Sequence, residues 1–171
     1  MTRVANGDRL ALDRLYAELG QGIYGYLRRM GATPEDAADI VQEVFLRIWQ
    51  QRQRYRGAQA SAWIYRIARN ARIDHARQLG VRTSLSIPDV MPETFESPEQ
   101  SLAAEQLGAR LQAALMTLPD ATREAVLLSR FSPLSLDGIA SVLETTPENV
   151  KVRLHRGLSA LKACLEDEAN D

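Results

Sequence analysis

The chain has 171 residues, 45% of them apolar and 25% charged, as in ordinary globular proteins of one large or two small domains. It has no apolar run near the roughly 20 residues of a membrane helix, no signal-peptide core in its first eight residues, and only one cysteine, Cys164, so an internal disulfide is excluded and a cytoplasmic location is expected. The net charge of −1 divides unevenly: residues 1–87 carry 14 Arg against 8 Asp and Glu (+6), and residues 88–171 carry 7 Arg and Lys against 14 acids (−7).

The pattern is helical nearly throughout. Leu12, Leu15, Tyr16, Leu19, Ile23, Leu27 and Met30 recur at helical spacing and predict a helix from Asp8 to Met30. Gly20, Gly22 and Gly25 weaken its middle, and Gly31 supplies a stop. Thr33-Pro34-Glu35-Asp36 is a start signal, with a capping hydroxyl, a proline suited to the first helical position and acids that complement the helix dipole. The helix it opens sets Ile40, Val41, Val44, Phe45, Ile48 and Trp49 on one face and Asp39, Gln42, Glu43 and Arg47 on the other. Gln51 to Ser61 reads as a polar connection. A third helix from about Ala62 to Leu79 carries Ile64, Ile67, Ala68 and Ala71 as its stripe and Arg66, Arg69, Asn70, Arg72, His75 and Arg77 on its other faces.

Residues 81–97, rich in acids and without periodicity, read as a flexible acidic linker between two domains. Ser97-Pro98-Glu99-Gln100 has the form of a capping box, and the helix it opens has Leu107, Leu111, Ala114, Leu115 and Leu118 as its stripe. A short helix over about Ala121–Arg130, another over Leu136–Leu143, and a last helix opened by Thr146-Pro147 complete the chain. Val150, Leu154, Leu158, Leu161 and Leu165 form the apolar side of the last helix. The expected fold is therefore all-α, with domains at residues 1–80 and 98–171.

Phosphate-loop, nucleophile-elbow and zinc-protease signatures are missing, and two histidines with one cysteine are a poor stock for a structural zinc site. No catalytic residue, metal or cofactor is expected. The last block has the form of a helix-turn-helix, whose second helix presents Asn149, Lys151, Val152, Arg153, His155 and Arg156 beside its apolar stripe. Arginine there can read guanine and asparagine adenine, while Thr146 and the helix N-terminal amides can hold a phosphate. The alternative is a helical hairpin with a solvated charged face. GC-rich coding alone would also account for an arginine excess.

Three stretches resemble a known family. Leu118-Pro119, Arg123-Glu124, Leu127-Leu128, Ile139-Ala140, Leu143 and Val150-Lys151-Val152-Arg153-Leu154-His155-Arg156 resemble region 4 of extracytoplasmic-function (ECF) sigma factors. Asp39 to Trp49 resembles region 2.2 of that family, and Trp63 to Arg77 resembles its regions 2.3 and 2.4, in the family's order. The resemblance implies a protein that binds core RNA polymerase through its β′ and β subunits and directs it to promoter DNA, commonly under an anti-sigma factor that clamps both domains. It implies polymerase contacts at Asp39, Gln42, Glu43 and Arg47. It implies −10 DNA contacts at Arg54, Tyr55, Arg56, Arg66, Arg69, Asn70, His75 and Arg77, with a flipped base held by the loop from Tyr55 to Ala62. It implies −35 DNA contacts at Thr146, Asn149, Lys151, Val152, Arg153, His155 and Arg156. The sequence departs from the family pattern at Glu144, where a turn glycine is usual, at Glu148, where a small residue is frequent, and at Val152, which replaces a frequent serine.

Other readings explain less. A stand-alone helix-turn-helix regulator leaves Asp39–Trp49 and Trp63–Arg77 without a purpose. A sigma-like decoy for an anti-sigma factor has no need of Arg153 and Arg156. An enzyme would need a convergent nucleophile, base or metal set.

Overall fold

The computed structural model describes residues 1–57, 59–80 and 102–167. All the described elements are helical: α1 (Thr2–Ala5), α2 (Arg9–Arg29), α3 (Pro34–Gln51), α4 (Ala60–Gln78), α5 (Leu102–Thr117), α6 (Asp120–Phe131), α7 (Leu136–Leu143) and α8 (Pro147–Asp167). The expected all-α fold with two helical units, α1–α4 and α5–α8, is what the chain adopts. The acidic linker and the capping box at Ser97–Gln100 lie outside the described residues.

Local chemistry sets the helix starts. The Asp8 carboxylate accepts from the Ala11 amide at 3.0 Å and caps α2. The Thr33 hydroxyl accepts from the Asp36 amide at 3.1 Å, and Pro34 follows as the first residue of α3. Two boundaries differ from the pattern. A single 3₁₀ turn, Arg52–Arg54, extends the chain beyond α3, so the polar connection begins later than Gln51. The next helix starts at Ala60, because left-handed backbone at Gly57 (φ 85°) and Gln59 (φ 40°) completes the reversal by then.

The glycines in α2 do not interrupt it. A Cβ on Gly22 would lie 2.9 Å from the Phe131 carbonyl oxygen and 2.8 Å from the Tyr65 hydroxyl. The missing side chain is what lets α2 approach the end of α6.

The first unit buries Ile23, Tyr26, Leu27, Val44, Ile48, Ile64, Tyr65 and Ala68, and the second buries Leu127, Leu128, Ile139, Val142 and Val150. The two units share one apolar cluster, with α4 lying on α7 and α2 on α6. Some residues of the predicted stripes stay uncovered. Leu107 and Leu111 are 55% and 37% exposed and Leu158 is 41% exposed, whereas Ala114, Leu115, Leu118 and Leu161 of the same stripes are buried. No described helix is long and apolar enough to cross a membrane.

Candidate nucleic-acid interface

The α7–α8 turn is built by caps. The Ser135 hydroxyl accepts from the Gly138 amide at 3.2 Å to start α7. Glu144 ends that helix in the left-handed region (φ 53°, ψ 48°), which accounts for the family's usual glycine at this place. The Thr145 amide then donates to the Ala140 carbonyl at 3.0 Å. The Thr146 hydroxyl accepts from the Asn149 amide at 3.2 Å, and the Asn149 side-chain amide donates to the Thr145 hydroxyl at 2.9 Å.

Val150 is fully buried and seats α8 in the second unit. Thr146, Asn149, Lys151, Val152, His155 and Arg156 are exposed together on its outer side, with Arg153 half-buried beside them. Glu148 is exposed at the first turn of the same helix. Gly157 faces the opposite way, where a Cβ would lie 2.6 Å from Val126 Cγ2 and 3.0 Å from Thr122 Cγ2. The close α6–α8 crossing holds the exposed side at a fixed angle.

The residues assigned to −10 DNA fall into three groups. Arg54, Arg56, Asn70 and Arg77 are exposed, and Arg56 donates to the Gln53 carbonyl at 2.8 Å. Tyr55 is half-buried, its ring 5.7 Å from that of Trp63 at 58°. His75 is half-buried and lies 2.9 Å from the Asp36 carboxylate, so it ties α4 to the start of α3. Burial of Asp36 raises its carboxyl pKa, but hydrogen bonds from Thr33 and His75 outweigh this and hold it below the usual 3.8. Arg66 and Arg69 turn toward the second unit. Arg66 donates to the Ser141 carbonyl (3.0 Å) and hydroxyl (2.6 Å), and Arg69 Nε donates to Glu124 at 3.2 Å.

Glu124, 4% exposed, is the centre of this contact. Besides Arg69 it accepts from Arg72 at 3.3 Å and from the Tyr26 hydroxyl at 2.6 Å. Tyr26 is fully buried, and desolvation, then the Glu124 charge, pushes its hydroxyl far above the ordinary pKa of 10. The Tyr65 hydroxyl donates to the Phe131 carbonyl at 2.9 Å, and burial pushes its pKa up to about 12. The Arg29 guanidinium sits 4.2 Å from the centre of the Phe131 ring. The roles of Tyr26, Glu124 and Ser141 are missing from the sequence reading, and so is the partner of Arg72. One signal was available for the acid. Glu124 stands three, four and seven positions before Leu127, Leu128 and Phe131, on the face of α6 where the period calls for an apolar residue.

On α3, Asp39 and Gln42 are exposed side by side. Glu43 and Arg47 are paired at 2.6 Å, and Arg47 also reaches Asp74 of α4 at 2.9 Å. Leu46, 51% exposed, and Trp49 border a shallow groove with Arg9 and Leu12. The Trp49 ring is covered by Arg52 at 4.4 Å and Arg9 at 5.8 Å.

Comparison with known proteins agrees with this arrangement. Residues 15–82 match the family model of sigma-70 region 2, and residues 108–161 match that of sigma-70 region 4. The chain is 33% identical over 164 residues to the ECF RNA polymerase sigma factor SigF of Caulobacter vibrioides, covering 94% of this chain and 89% of that protein. It is 32% identical over 173 residues to the ECF RNA polymerase sigma factor SigE of Mycolicibacterium smegmatis, covering 98% of this chain and 67% of that protein. Among solved structures, CnrH in complex with the cytosolic domain of CnrY shares the fold with a TM-score of 0.75 at 24% identity, over 97% of this chain and 94% of that one. The sigma factor RpoE of Bartonella quintana, solved with the anti-sigma factor NepR, does so with a TM-score of 0.72 at 19% identity, over 90% and 96%. The chain belongs to the ECF RNA polymerase sigma factors.

Proposed function

We propose that this protein binds core RNA polymerase in the cytoplasm, directs it to a small set of promoters and assists their melting, while the polymerase supplies the chemistry. Residues 1–80 take the polymerase and the −10 element, residues 81–97 link, and residues 98–171 take the −35 duplex. The observation that carries this reading is the exposed basic side of α8, fixed by the α6–α8 crossing and laid out for a major groove. The exposed Asp39–Gln42 face of α3, with the exposed Leu46 one turn beyond Gln42, supports helix-on-helix docking to polymerase by mixed polar and apolar contact. Arg54, Tyr55, Arg56, Arg66, Arg69, Asn70, His75 and Arg77 supply the cations and planar groups that a single strand needs.

CnrH and RpoE were each solved with a protein partner, in the second case a named anti-sigma factor, and this supports an anti-sigma factor as the regulator here. The test is run-off transcription from a promoter library with purified core polymerase. Specific transcripts that appear only when the protein is added are expected. A library that yields none, together with absent core binding, refutes the proposal.

A further inference from the structure

Two surfaces of the chain are open and a third is shut. Asp39 and Gln42 on α3 are exposed, as are Lys151, Val152, His155 and Arg156 on α8. The middle of α4 is covered: Arg66, Arg69 and Arg72 all turn their guanidinium groups into α6 and α7. Among the described residues, every hydrogen bond to the Glu124 carboxylate comes from the other unit, namely from Tyr26 of α2 and from Arg69 and Arg72 of α4. A carboxylate bridging two arginines occupies them much as a backbone phosphate would. Among the described residues the buried Nε atoms of Arg66 and Arg72 find no hydrogen-bond partner, so this packing serves the arginines only in part. Gly22 is required for it, since a methyl group there would meet Phe131 and Tyr65.

We infer that the second unit is a built-in lid on the −10-binding helix, with Glu124 as a phosphate mimic that Arg69 and Arg72 must release before they can hold a DNA strand. The inference rests on the reading of α4 as the single-strand-binding helix. The closed chain keeps its polymerase-docking and −35 faces available, so polymerase can bind first and open the lid. Free protein is thereby kept from capturing stray single strands.

The test uses the full chain without polymerase. Binding of a fluorescein-labelled, mixed-sequence 20-nucleotide single strand is followed by anisotropy, and opening is followed by small-angle scattering. The variants are Glu124→Gln and Gly22→Ala. The second leaves the charge unchanged, and Asp137→Asn, an exposed acid on α7, controls for loss of one negative charge from the same unit. Circular dichroism checks that each variant is folded, and either variant alone suffices. The expected result is a larger radius of gyration than the compact wild type, about 16 Å for a closed chain of this length. At least tenfold tighter strand binding is expected for both variants and no such gain for Asp137→Asn. Variants that open without binding better overturn the inference, as does a wild type that binds the strand as tightly as they do, or a pair of folded variants that both stay compact. Failure of the sigma reading would show separately, as absence of polymerase-dependent transcripts from the wild type.

Discussion

Replacing Gly157 by alanine tests how α8 is held. The new methyl would stand 2.6 Å from Val126 Cγ2 and 3.0 Å from Thr122 Cγ2. Val126 is 3% exposed and β-branched, with little rotamer freedom in a helix, so it cannot turn aside. Forcing an extra methyl into packed helices costs about 1–3 kcal/mol. Alanine returns roughly 0.8–1 kcal/mol through its better helix propensity. The net expectation is a loss of about 0–2 kcal/mol, read as a lower urea midpoint at unchanged m-value. Adding Val126→Ala removes the opposing methyl, and the double variant should lose less than the two single losses summed. A Gly157→Ala protein more stable than the wild type, or strictly additive losses, refutes the close-crossing account of α8.

Three further outcomes are expected. Arg156→Ala should weaken −35 duplex binding by about 1–3 kcal/mol and leave polymerase affinity intact, as measured by anisotropy and by pull-down on core enzyme; loss of polymerase binding instead would show that α8 has been misassigned. The double change Asp39→Ala with Gln42→Ala should do the reverse, since both side chains are exposed on α3; unchanged core affinity would remove that face from the docking surface. Asp36 has a carboxyl pKa below its ordinary 3.8, so its stabilising effect is complete above that value and is lost as the pH falls through the lower folded one. Asp36→Asn should therefore flatten the acid limb of the stability profile, and a limb identical to that of the wild type in urea titrations from pH 5 to 2 would contradict the Asp36–His75 tie.

The helices were legible because their information is local. Asp8, Thr33, Ser135 and Thr146 cap elements within three residues of themselves, and the apolar period marks most of the buried faces. The exposed side of α8 was legible for the same reason, since Val150 fixes which way its neighbours point. The contact around Glu124 was not, because its partners lie 52, 55 and 98 residues away along the chain. Spacing cannot show that an acid in α6 meets arginines in α4. Arg66 and Arg69 lie off the apolar stripe of α4, but polarity alone does not distinguish a face turned to water from one turned to a neighbouring hydroxyl or carboxylate. Gly22 misled in the opposite sense. A glycine inside a helix reads locally as weakness, and only the packed fold shows the carbonyl and hydroxyl beside it.

One turn of α4 is pinned to α3 at two separate places, Asp74 to Arg47 and His75 to Asp36. Two fastenings on crossed rods make a rigid bracket, whereas a single one would leave a pivot. A protein that grips α3 therefore sets the pose of α4 as well, and a pull on the outer face of the bracket is delivered to the helix on which the second unit rests.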